Sequence, residues 1–184
     1  MDDLAGVSWT RALIERQRAP MPESLVRVVV GVDPPAAGGT CGIVVAALGA
    51  DGHARVLDDA SVTGQRPEQW ARAVVEAADR WQADRVIAEV NQGGDIVVET
   101  LKSVDAALPV LTVRASRGKV ARAEPVAALY GEGRVVASRS LTAPPTTQKP
   151  GAFYNVPISG GAARGHPAGR LMYWQGSGWL RDSP

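Results

Sequence analysis

Arg27-Val-Val-Val-Gly-Val-Asp33 and Arg85-Val-Ile-Ala-Glu89 decide the fold. Both are short β-branched runs, and runs this apolar read as strands buried on both faces. Each closes on a carboxylate, which places an acid where a sheet meets solvent. Two such acids on neighbouring strands would face each other across a few ångströms. Paired carboxylates repel unless a proton or a divalent cation lies between them. The pattern therefore points to metal-dependent chemistry.

Working outward, Val26–Asp33 is the first long strand and 34–39 a Pro/Gly loop. Cys41–Leu48 and Ala54–Val62 are strands joined by an Asp51-Gly52 hairpin turn. Pro67 opens a helix whose apolar face carries Trp70, Ala71, Val74, Val75, Ala78 and Trp81. Arg85–Val90 is a strand. A helix follows from Asp95 to Ala106, with Ile96, Val97, Leu101 and Val104 expected inward. Pro109–Val113 is a strand, Lys119–Tyr130 a helix and Arg134–Ala137 a last strand. A meander followed by βα units makes an α/β mixed sheet with helices on its faces. In that topology Asp33 and Glu89 become neighbours at the carboxyl edge, where open sheets collect ligands.

Composition excludes several classes. The chain has 184 residues, 45% hydrophobic and 21% charged, in the range of a globular domain. A net charge of +1 gives no global signal for nucleic acid, so such binding must come from a local patch. A single cysteine, Cys41, excludes an internal disulfide and suits a reducing cytoplasm. No apolar stretch reaches membrane-span length, and Met1-Asp-Asp is not a signal-peptide start. His53 and His166 lack ligand spacing, so zinc is not expected.

Each candidate has a plain reading beside the chemical one. Asp33 could cap the Pro34 loop as an Asx-turn. Glu89 needs a partner inside an apolar strand, either a core arginine or a metal shared with Asp33. Acids at two matching strand ends favour the metal. Asp95 after Gly93-Gly94 reads first as a helix N-cap. Arg114, Arg117, Lys119 and Arg122 surround a Ser-Gly turn. A solvated loop is the default for such a run, but cations beside an acidic site suit a phosphodiester backbone, above all Arg117 and Lys119.

Residues from Ser8 to Ala137 resemble the nuclease domain of the large terminase subunit of tailed phages, prophages and gene-transfer agents. The likeness rests on Trp9-Thr-Arg-Ala-Leu-Ile, Val-Val-Gly-Val-Asp33-Pro-Pro, Val56-Leu-Asp-Asp-Ala-Ser-Val62, Ala88-Glu-Val-Asn-Gln-Gly-Gly-Asp95 and the segment from Arg114 to Tyr130. It implies a ribonuclease-H-like fold and a two-metal endonuclease that cuts concatemeric viral DNA during packaging. Asp33 and Glu89 are then ligands of two Mg²⁺ or Mn²⁺ ions ~4 Å apart. Arg117 and Lys119 are DNA-binding residues, with Asp95 and Arg122 as accessory candidates. Implied partners are double-stranded DNA and, through the full-length protein, the portal and the small terminase subunit, in the bacterial host cytoplasm.

The likeness has two gaps. No Walker-type loop of a packaging ATPase is present. The family's third acid, in a Ser-Pro-Asp-Arg-Val-Asp-like motif, has no counterpart after Ala137. Residues 1–24 are therefore expected to be a linker remnant and 25–137 the nuclease domain. Residues 138–184, with five basic residues and Asp182 as the one acid, are expected to be a divergent, poorly ordered tail. An exposed apolar patch is expected where a last helix would dock. Two other readings stand beside the endonuclease. One is a non-catalytic prophage remnant with weak or no DNA binding. The other is a sugar-kinase or actin-like ATPase, ranked last because it needs a second domain and phosphate loop.

Overall fold

The computed structural model describes residues 11–35, 39–90, 94–114, 119–139, 172–174 and 179–181. After α1 (Arg11–Arg16) and β1 (Arg18–Ala19) come β2 (Leu25–Asp33), β3 (Thr40–Gly49), β4 (Ala54–Asp59) and β5 (Val62–Thr63). Then follow α2 (Pro67–Trp81), β6 (Arg85–Glu89), α3 (Gly94–Val104), β7 (Val110–Val113), α4 (Lys119–Gly131) and β8 (Val135–Ser138). The main sheet runs β1-β8-β4-β3-β2-β6-β7, with β5 paired to β3. β2, β3 and β4 form the antiparallel meander, while β2–β6, β6–β7 and β4–β8 are parallel. This mixed α/β sheet with helices on its faces is the expected architecture.

The β-branched runs form the sheet interior because both faces are covered. On one face Val28, Val30, Val32, Val45 and Val86 pack under Trp70, Ala71 and Val74 of α2 and Leu101 of α3. Val30, Val32, Val45 and Val86 are fully buried, each contributing about 1.5–3 kcal/mol relative to exposure. On the other face Val44, Val56, Val135 and Ala137 pack with Tyr130 of α4 and Ile14 of α1. A smaller cluster of Val29, Ala46, Ile87 and Val113 lies on that same face, over β2, β3, β6 and β7. Its members are buried.

Four expectations need adjustment. Ile96 is 68% exposed rather than inward. Val97, Leu101 and Val104 repeat at four and three residues and claim the inward stripe, leaving Ile96 about 100° away from Val97. The third meander strand is broken at Ala60-Ser61. The Ser61 amide donates to the Asp59 carboxylate at 3.1 Å and the Ile43 amide donates to the Ser61 hydroxyl at 3.0 Å, so side chains replace ladder bonds. The segment read as a linker remnant carries core residues: Ile14 is 3% exposed, and β1 pairs with β8 at Arg18↔Ala137. The tail read as lacking strand pattern contains a hairpin of β9 (Met172–Trp174) and β10 (Trp179–Arg181), a separate two-stranded sheet. Three-residue strands are too short for a period of two to show.

Candidate active site

β2 and β6 run parallel, with Val32 opposite Ala88 as the last paired positions. One residue further, the strands end at Asp33 and Glu89. Adjacent strands lie about 4.8 Å apart, so the two carboxylates leave the sheet as neighbours. Alternation puts Asp33 on the face of Val29, and Glu89 on the face of Ile87, the same face. Asp33 pairs with Gly42 across β3, so no side chain from that position crowds it. Glu89 pairs with Val113 of β7, and the Val90 amide donates to the Val113 carbonyl at 2.8 Å, pinning the strand end. Both acids are buried, Asp33 at 7% and Glu89 at 4% exposure.

A buried carboxylate demands a cation, and Glu89 has one. Arg122, in the first turns of α4, donates from Nη1 to Oε2 at 2.9 Å and from Nη2 to Oε1 at 3.3 Å. This is a two-pronged fork, the strongest geometry for such a pair. The connection explains it: β7 ends beside β6, and α4 runs from there to β8, its Ala123 buried and Val126 packed against the cluster of Val44, Val56 and Val135. The core arginine weighed as Glu89's alternative partner is thus present, in the residue expected only to assist DNA binding. The cost of burying Glu89 signalled some cation, but nothing local in the sequence singled out a residue 33 positions later.

The remaining candidates are more dispersed. Arg114 is exposed at the end of β7. Arg117 and the side chain of Lys119 lie outside the described residues, as do Trp9 and His166. Asp95 is exposed within the first turn of α3, one residue past the helix start at Gly94. It sits beyond the cap position, where a carboxylate still favours the helix dipole. Cys41 is fully buried. Among the described residues no group of three His, Cys, Asp or Glu stands close enough to hold a metal.

A family model described as the terminase RNaseH-like domain matches residues 30–156. The chain belongs to this family. The match runs from Val30 within β2 through β8 and continues past Ala137, where the resemblance in the sequence motifs ends. Solved structures agree in fold. The large terminase nuclease of thermophilic phage G20c superposes with a TM-score of 0.51 at 14% identity, covering 84% of this chain and 71% of that one. The large terminase of a second thermophilic bacteriophage gives 0.54 at 8% identity, over 71% of this chain. That of bacteriophage HK97 gives 0.52 at 15% identity, also over 71%. The matched region is 32% of the second thermophilic phage's chain and 33% of the HK97 chain, so this terminase RNaseH-like domain corresponds to about a third of those proteins. No curated protein sequence matches the chain.

Proposed function

We propose that this domain is the nuclease of a large terminase, a divalent-metal-dependent endonuclease that cuts concatemeric double-stranded DNA during genome packaging. The observation that supports it is the juxtaposition of Asp33 and Glu89, buried side by side on one sheet face at the carboxyl ends of parallel strands. Two hard oxygen donors in that arrangement suit Mg²⁺ or Mn²⁺. Bound ions would supply an activated water and stabilise the leaving 3′ oxygen. The chain's own work is to hold those cations through Asp33 and Glu89 and to keep apolar strands beneath them. Arg117 and Lys119 engage phosphates and set the register of the duplex. Asp95, in the first turn of α3, and Arg122, paired with Glu89, are the accessory groups of this reading. Portal and small terminase subunit would be partners of the whole protein, in the host cytoplasm.

A second reading has its own observation. A two-ion site needs a third carboxylate, and among the described residues no group of three such ligands forms. A non-catalytic remnant that folds but binds DNA weakly fits that fact. Plasmid nicking by the purified chain with Mn²⁺ separates the two. Nicking that disappears in Asp33→Ala and in Glu89→Gln supports the endonuclease. Nicking that both variants retain overturns the assignment. A folded chain with no nicking and no DNA retention supports the remnant.

A further inference from the structure

We propose that Arg122 is a built-in counter-ion of the metal site: it neutralises Glu89 while the site is metal-free and must release it for a divalent cation to bind. This rests on the reading of Asp33 and Glu89 as metal ligands. The Arg122 fork engages both Glu89 oxygens, at 2.9 and 3.3 Å, so any cation taken by Glu89 meets a guanidinium at the same carboxylate. The pair is nearly dry, with side-chain exposures of 12% for Arg122 and 3% for Glu89. In such surroundings the charges are weakly screened, so a guanidinium and a divalent ion on one carboxylate repel strongly. Conversely, the Arg122 fork offsets part of the cost of burying the Glu89 charge one strand away from the Asp33 carboxylate. Arg122 therefore does two opposed things. It lets the sheet edge fold without metal, and it sets a threshold concentration below which metal does not bind.

In this proposal Arg122 exchanges with metal rather than bracing Glu89 permanently. Arg122 comes from the first turns of α4, and its guanidinium stands against the Glu89 carboxylate at the end of β6. Arg122 belongs to the same basic run as Arg114, which is exposed at the end of β7. Release from Glu89 thus adds a cation to the surface proposed for phosphate contact. Metal and DNA backbone would then bind with positive coupling, since each favours the released arginine.

The experiment uses the full chain, with Mn²⁺ alone as probe. Affinity is read by calorimetry, and melting temperature is read in EDTA and in saturating Mn²⁺. Arg122→Gln is expected to bind Mn²⁺ about tenfold tighter or more, because a repelling charge is gone. In EDTA it should melt below the wild type, and Mn²⁺ should close that gap. Arg122→Lys keeps the charge but loses the fork, so it guards against misfolding and should bind Mn²⁺ with intermediate affinity. Both variants binding Mn²⁺ no tighter than wild type overturns the proposal, and marks Arg122 as a brace that orients Glu89. A different result marks failure of the metal reading itself: Mn²⁺ affinity in the Arg122→Gln background that adding Glu89→Gln or Asp33→Asn leaves unchanged.

Discussion

Two arginine–carboxylate forks stand at opposite ends of the same sheet, and their burial is reversed. At the β3–β4 hairpin, Arg55 donates to Asp51 at 2.8 and 2.6 Å, with side-chain exposures of 6% for the arginine and 43% for the acid. At the ends of β2 and β6, Arg122 donates to Glu89, and here the acid is the drier partner at 3%. The first fork is local, closed within one turn, and water solvates its carboxylate. The buried guanidinium there is held by Asp51, whose carboxylate also accepts from the His53 amide of the same turn at 3.1 Å. The second fork joins distant segments around a carboxylate that has a second carboxylate beside it in register. The same chemistry makes a clamp at one end and, in the proposal above, an exchangeable site at the other.

The largest expected effect separates the two ends by function. Glu89→Gln should cut Mn²⁺-dependent nicking about a hundredfold or more, roughly 3 kcal/mol in the barrier. The fold should survive, because glutamine keeps a carbonyl oxygen for Arg122, and unchanged circular dichroism checks this. Arg55→Ala should do the converse. It should destabilise the domain by about 2 kcal/mol in urea unfolding, through lost packing of a buried stem and loss of the clamp, while nicking at low temperature persists. If Arg55→Ala removed nicking as thoroughly as Glu89→Gln, the division between the ends would collapse.

A smaller effect tests how closely the clamp is built. A Cβ at Gly49 would lie 2.6 Å from the Arg55 Nη1 and from the Asp51 Oδ1, and 3.2 Å from Pro22 Cγ. Arg55 is buried and its Nε has no partner, so it has little freedom to retreat. Gly49→Ala should therefore cost about 1 kcal/mol, seen as a lower urea midpoint at unchanged slope. The smallest effect is a pH dependence. Hydrogen bonds from Arg55, and from the His53 amide, hold the Asp51 carboxyl well below the usual carboxylate range. A depressed carboxylate stabilises the fold above its ordinary value and loses that contribution as pH falls through the lowered one. Wild type should thus melt above Asp51→Asn near neutral pH, with the gap closing below about pH 4. A gap that widened on acidification would mean that Asp51 is not the clamp's anion.

How much of this was legible in sequence differs by residue. Strands buried on both faces announce themselves, so β2, β3, β6 and their shared acidic edge were readable from Val29, Val30, Ile87 and the terminal carboxylates. The parallel register that makes Asp33 and Glu89 neighbours followed from topology alone. What sequence could not show is tertiary choice. Ile96 is as apolar as Val97, and only the competition of Leu101 and Val104 for the core decides which turns inward. Ile14 looked like part of a linker because its partner, Tyr130, lies at the other end of the domain. Ser61 breaks a strand by offering its hydroxyl to a neighbouring amide, which a period-two reading passes over. Arg122 was one of four cations in a basic run. Its selection by Glu89 depends on how α4 returns across the sheet.

The most direct test is the anomalous difference map of a crystal of the full chain soaked in Mn²⁺. The account predicts a manganese peak between the Asp33 and Glu89 carboxylates, with the Arg122 guanidinium withdrawn from Glu89. A map without that peak at saturating Mn²⁺, with the Arg122–Glu89 fork still closed, would contradict it.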